Sequence, residues 1–359
     1  MGPAPPRPHR RPRRLRHARH RGRPGRRRGA ARRRGRRGHA GRGARRSRLT
    51  GVTSPTGEQF ILDDGHVRVE IGALAAVLRE VRVGGVRITE TVPADSLPSH
   101  GCGIVLAPWP NRVKDARWVL DGKVQQLDIT DVARGGAIHG LLRNTDYRLR
   151  EQTDRSLTLG ATIYPQHGWP FILDTWVTYA LEADGLTVTH GAENLGTARA
   201  PWSVGAHPYF RVGETPTDEL TLRVAGETRL ELDDRLNPVA EHPVAGTEFD
   251  LRAATSLAGA DFNVGFGQLA NRAESAEVAW LEAANGAATV VWADPAFRWL
   301  QLFTPADFPG DEGPHRAVAL EPMTVPPDAL NSGTDLRWIE PGDRVEASWG
   351  VRFRAASGL

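Results

Sequence analysis

Five dipeptides, Asp64-Gly65, Gly84-Gly85, Asp121-Gly122, Asp184-Gly185 and Asn285-Gly286, punctuate the chain beyond residue 51. Each lies between short runs rich in apolar or β-branched residues. Such pairs suit the tight turns whose twist matches two antiparallel strands, so each predicts a β-hairpin. Around Asp184-Gly185, for example, "TWVTYALEA" leads in and "LTVTH" leads out, both alternating in part. No window of about 12 residues carries the 3.6-residue apolar period of a helix. The 39 glycines and 26 prolines would break one in any case. Residues 51–359 are therefore expected to form a single all-β domain, a large antiparallel β-sandwich with a ligand on a concave sheet face.

The first 48 residues follow different rules. They hold 21 arginines, four histidines and no acidic residue, the first acid being Glu58. A segment of this kind buries no apolar area and repels itself, which predicts disorder. It lacks the apolar stretch of a signal peptide. An arginine- and glycine-rich arm could contact nucleic acid through phosphates. The preferred reading is a solvated extension or a misplaced translation start, because 45 arginines against two lysines point to strong compositional bias. Beyond the segment, 26 basic residues face 42 acidic ones, so the remainder carries a balance of about −16 and the net +5 belongs to the tail.

Several classes are disfavoured. The single cysteine, Cys102, leaves no intramolecular disulfide and no cysteine-based metal cluster, and suits a reducing cytoplasm. The glycines of "GCGIVL" lack the third glycine of a dinucleotide loop. No run approaches the ~18 apolar residues of a membrane span. No Gly-x-Ser-x-Gly elbow occurs. Cofactor and membrane are therefore not expected.

Five polar residues stand out against apolar surroundings: Arg112 in "APWPNRV", His139 in "GGAIHGLLRN", His207 in "VGAHPYF", Asp261 in "GADFNVGF" and Glu321 in "VALEPMTVPPDALNSG". Glu321 ends an apolar run, and Pro322 holds it extended, where desolvation would raise its pKa toward that of a general base. Taken singly, it is equally an ordinary strand-end glutamate. An imidazole can exchange protons near neutral pH. Either histidine alone is as readily a satisfied structural residue. Glycines beside His139 would let backbone approach a ligand. His139, His207 and Glu321 could imitate a two-histidine, one-carboxylate metal set, but none has the short spacing of metal motifs, so no metal is expected. Trp169 in "HGWPF" could offer a ligand its ring face, or pack the interior, which is preferred.

Together and in this order, the five stretches resemble the aldose 1-epimerase, or galactose mutarotase-like, family. "PWPNRV" resembles its Asn-Arg element, "IHGLLRNTDY" and "GAHPYF" its two histidine motifs, "LEPMTVPPDALNSG" its glutamate motif and "GADFNVGF" its sugar-binding aspartate. The resemblance runs from about residue 57 to 355. Its glutamate motif is nearer the branch of uncharacterised bacterial mutarotases and hexose-6-phosphate epimerase relatives. The resemblance implies a large β-sandwich isomerase interconverting the α and β anomers of a hexopyranose. Glu321 would be the base at the C1 hydroxyl and His207 the acid at the ring oxygen. His139, Arg112 and Asp261 would bind the sugar. The alternatives are a hexose-6-phosphate epimerase, which would gather arginines such as Arg112, Arg143 and Arg316 around an anion, and a non-catalytic sugar-binding sandwich.

Overall fold

All five turn dipeptides connect antiparallel strand pairs in the computed structural model, which describes residues 54–269, 276–310 and 313–356. The Arg-rich segment lies outside the described residues. Asp64-Gly65 joins Gln59–Asp63 to Val67–Gly72, and Asn285-Gly286 joins Glu277–Glu282 to Ala288–Ala293. Gly65 and Gly286 turn at φ of 88° and 85°, backbone that a side chain would strain. Gly185 serves otherwise. A Cβ there would lie 1.9 Å from the Val351 carbonyl oxygen, so its bare backbone lets strand Arg344–Arg354 pair closely.

Two sheets carry the fold. In the nine-stranded sheet the order is Arg148–Gln152, Ser156–Ile163, Leu173–Leu181, Gly185–Asn194, Arg344–Arg354, Ala288–Ala293, Glu277–Glu282, Thr221–Val224 and Thr255–Ser256. The eight-stranded sheet runs Pro238–Pro243, Gly226–Leu232, Asn263–Leu269, Trp299–Phe303, Val318–Met323, Gly205–Ala206 and Val105–Leu106, with Tyr209–Phe210 also paired to Val318–Met323. Every pairing within both sheets is antiparallel. A further four-stranded sheet is built from Gln59–Asp63 to Val86–Arg87. Among the described residues the one α-helix is the single turn Ala329–Ser332, and none is long and apolar enough to cross a membrane.

Side-chain alternation seals the two sheets together. Leu173, Thr175, Val177, Tyr179 and Leu181 are buried along one strand while the residues between them are half-exposed. Val177 and Tyr179 share one apolar cluster with Phe266, Leu300, Leu302 and Leu320 of the eight-stranded sheet. Each such side chain contributes roughly 1.5–3 kcal/mol when buried.

The same period of two decides what the other face carries. Val318 and Leu320 enter the main core, whereas Ala319 packs with Tyr209 and Phe308 on the opposite side. Glu321, two residues on, shares the face of Ala319. Its cross-strand neighbour is Gln301, flanked on the same face by Trp299 and Phe303. A polar pair therefore stands back to back with the core, on an otherwise apolar strand.

The glycines of "GCGIVL" have a packing role. Gly103, at φ 74°, would place a Cβ 2.0 Å from the carbonyl oxygen of Leu78.

Candidate active site

Loops from four distant parts of the chain converge over that face. Asn111 and Arg112 end the "PWPN" turn, with Asn111 at φ 52°. Arg112 pairs across a two-residue ladder with Ile138, and the His139 N–H donates to the Asn111 carbonyl (2.9 Å). His139 itself sits at φ 61°. Left-handed backbone at non-glycine residues costs on the order of 1–3 kcal/mol and persists only where surroundings enforce it. Gly140 supplies part of that enforcement. Its Cβ would lie 2.0 Å from the Ala107 carbonyl oxygen, so the glycine beside His139 admits backbone of this chain, where a ligand was expected.

The histidine and glutamate motifs are stitched together. Gly205 pairs with Met323; the Thr324 N–H donates to Val204 O (2.9 Å), and the Val204 N–H donates to the Thr324 side-chain Oγ1 (2.9 Å). The tail of the glutamate motif reaches the Asn-Arg loop. Asp328 N–H donates to Arg112 O (2.7 Å), Lys114 N–H donates to Asp328 Oδ1 (2.9 Å), and Asn331 Nδ2 donates to Arg117 O (2.8 Å). "PPDALNSG" is thus a clamp that holds Arg112 beside Glu321.

The result is a cavity of about 450 Å³, within the ~300–1,000 Å³ of small-ligand sites. Arg112, His139, His207 and Glu321 all line it. His207 Nε2 lies 3.4 Å from Glu321 Oε1, and the two residues are 5% and 2% exposed. The His207 ring stacks on Tyr209 at 5.4 Å and meets His139 edge-on at the same centroid distance. Arg112 Nε donates to Asp131 Oδ2 (2.8 Å) and Nη1 to Asn111 Oδ1 (3.3 Å). Buried Glu321 Oε2, His207 Nδ1 and His139 Nδ1 have no hydrogen-bond partner in the protein. Unpaired buried polar atoms are costly in a resting fold and suit a site that a polar ligand completes.

Burial sets the proton affinities. It pushes the Glu321 carboxyl up to about 8, against a smaller opposing pull from Arg112. It pulls the His207 imidazole down to about 4, with the charges of His100 and Arg112 adding to the effect. His139 is held well below its ordinary range, mainly by burial and then by His207, Arg112 and Arg143. Between those limits the His207–Glu321 pair holds one proton, and burial favours it on the carboxyl.

One expected site residue is not at the cavity. Asp261 is exposed and does not line the cavity; its neighbour Asn263 does. Asp261 lies two residues before strand Asn263–Leu269, whose exposed first residue, Asn263, accepts from Gln301 Nε2 at its Oδ1 (2.8 Å). Trp169 is fully buried among Trp109, Trp118 and Phe171, as preferred, and offers the cavity no ring face. Gln301, 3% exposed, accepts from Asn111 Nδ2 (3.4 Å) and was missed. The available signal was a glutamine inside the apolar run "RWLQLF". Among the described residues, no group of three or more His, Cys, Asp or Glu side chains is disposed to hold a metal ion.

The protein is thus an antiparallel β-sandwich in which a buried carboxyl–imidazole pair floors a polar cavity. Residues 59–352 match the aldose 1-epimerase family, and the chain belongs to it. Members of this family are isomerases of the mutarotase type. The chain is 31% identical over 288 residues to the Escherichia coli uncharacterized protein YihR, covering 80% of this chain and 90% of that one. It is 30% identical to pig galactose mutarotase over 56% of this chain and 62% of the relative. Among solved structures, the GalM/aldose epimerase homologue of C. elegans superposes with a TM-score of 0.74 at 17% identity, over 84% of this chain and all of that one.

Proposed function

We propose that this protein is an aldose 1-epimerase that interconverts the α and β anomers of a hexopyranose by general acid–base catalysis. The observation that carries the reading is the His207–Glu321 pair, 3.4 Å apart, buried and open only to the cavity.

Anomer exchange removes a proton from the C1 hydroxyl and delivers one to the ring oxygen as the C1–O5 bond opens. The aldehyde then rotates about C1–C2 and closes on its other face. Glu321 takes the C1 hydroxyl proton and His207 protonates O5, each from about 3 Å. The reactive pair is therefore carboxylate plus imidazolium, the tautomer in which opposite charges attract across the short gap. Ring opening returns the pair to neutral carboxyl and neutral imidazole, the form burial favours. Closure reverses both transfers, so the pair's proton count never changes. His139 and Arg112 position the ring through its oxygens, and Gln301 and Asn263 replace the expected aspartate as hydroxyl partners.

A non-catalytic sugar-binding module would have no use for two buried, mutually facing titratable groups. Polarimetry of freshly dissolved α-glucose and α-galactose tests the assignment. Accelerated decay of rotation is expected; a decay no faster than the buffer rate across neutral and 6-substituted hexoses would overturn it.

A further inference from the structure

The charges around the cavity are unbalanced in a way that anomer exchange does not need. Arg112, Arg134 and Arg143 line it, against one carboxyl group, Glu321, which is occupied with the reaction itself. Arg112 is committed to Asp131, and Arg134 approaches the same carboxylate only at 3.8 Å. Among the described residues Arg143 makes no ion pair and no side-chain hydrogen bond, yet its charge is felt at His139. Arg316, the other candidate from sequence, is spent elsewhere, donating to Asp218 (2.8 Å) and to the Ala260 carbonyl. This cationic wall is built into a chain whose portion beyond residue 48 is acidic overall, 26 basic residues against 42. A local field opposite in sign to the body selects and steers an anion.

We propose that the hexopyranose bound here carries an anionic substituent, a phosphate, sulfate or carboxylate away from the anomeric carbon, held by Arg143 with Arg134 at the cavity rim. This rests on the mutarotase reading and deepens it. Glu321 and His207 are almost fully buried at the floor, whereas Arg134 and Arg143 are half-exposed. A ring with C1 and O5 on the floor therefore presents its far substituents to the arginines. The guanidinium fork matches an oxyanion in two parallel bonds, a geometry a lone hydroxyl does not use.

The test is calorimetric titration of the full chain at about 0.15 M salt, a physiological screening condition, with glucose, glucose 6-phosphate and glucuronate. Wild type should bind at least one anionic sugar about 10- to 100-fold more tightly than glucose, the effect of charge-assisted hydrogen bonds. The other anionic sugar tells ester from carboxylate. Arg143→Gln should reduce that ratio to within about threefold, and Arg143→Lys should keep part of it, because charge survives while the fork is lost. Equal affinities in wild type overturn the inference. So does a preference unchanged in Arg143→Gln, which would place the anion elsewhere, including on the N-terminal arginines. The Glu321→Gln variant separates the two claims. If it and wild type both prefer the anionic sugar while wild type fails to accelerate mutarotation, this inference stands and the proposed reaction falls.

Discussion

Two buried histidines of this protein look alike by solvent exposure and by proton affinity, yet only one belongs to a site. His190, on strand Gly185–Asn194 of the nine-stranded sheet, is 1% exposed, and burial pulls its imidazole down to about 3. Its Nε2 accepts from Trp349 Nε1 (3.0 Å), and Phe297 stands edge-on nearby. His207, between two strands of the other sheet, has a comparable shift but lies 3.4 Å from a carboxyl at the floor of a cavity. Burial with a depressed pKa is thus a property of cores in general. A second titratable group and room for a substrate turn it into chemistry.

The strongest way to break this contrast is at the carboxyl. Glu321→Gln keeps the shape and removes the base, and we expect the polarimetric rate to fall by roughly 10²–10⁴-fold; a near-normal rate would sink the role given to it. His207→Asn should cost about 100-fold or more, and should leave thermal unfolding less affected than turnover. The pH profile sharpens the point further. The free pair is competent only with one proton, so kcat/KM should be bell-shaped, with limbs near 4 and 8. A flat alkaline side up to pH 10 would show that a different group is the base.

Stability gives a smaller and opposite signature. The folded Glu321 carboxyl binds its proton more tightly than the unfolded one, so its contribution is fully present below the ordinary glutamate range and is lost as pH rises through about 8. Glu321→Gln removes that loss, and its Tm should fall less than the wild-type Tm between pH 6 and pH 9. An equal fall in both proteins would locate the alkaline cost elsewhere. Least of all in rate, His190→Leu should leave mutarotation unchanged while costing about 1–3 kcal/mol in denaturant unfolding, the price of an unpaired buried Trp349 donor. Adding Trp349→Phe should recover part of it. A rate loss in His190→Leu would erase the distinction drawn between the two histidines.

Much of the site was legible because it sits in short, compositionally odd stretches. "AHPYF" and "ALEPMT" put titratable groups inside apolar runs, where a carboxyl is rarely buried unless paired. The hairpins were legible because a glycine turn is a local event. Asp261 failed for a geometric reason. Sequence marks a polar cluster, but which member reaches the cavity depends on what the strand pairs with, and Asn263, opposite Phe303 and bonded to Gln301, lines it where Asp261 does not. Gln301 matters through its position opposite Glu321, and Arg134 through a turn that also serves Arg112. Neither relation exists along the chain.

Local rules, the period of two along strands and the positive φ of turn glycines, determined by themselves that the chain beyond residue 51 is an antiparallel β protein, and the apolar frame singled out Asp261 along with the four residues Arg112, His139, His207 and Glu321. Only the tertiary structure decided that these four share one cavity, that Asp328 clamps Arg112 to the glutamate strand, and that three arginines line the same cavity. The reason is physical. Strand and turn preferences act over a few residues, whereas a proton pair 3.4 Å apart joins positions 114 residues distant in sequence, and only sheet register brings them together.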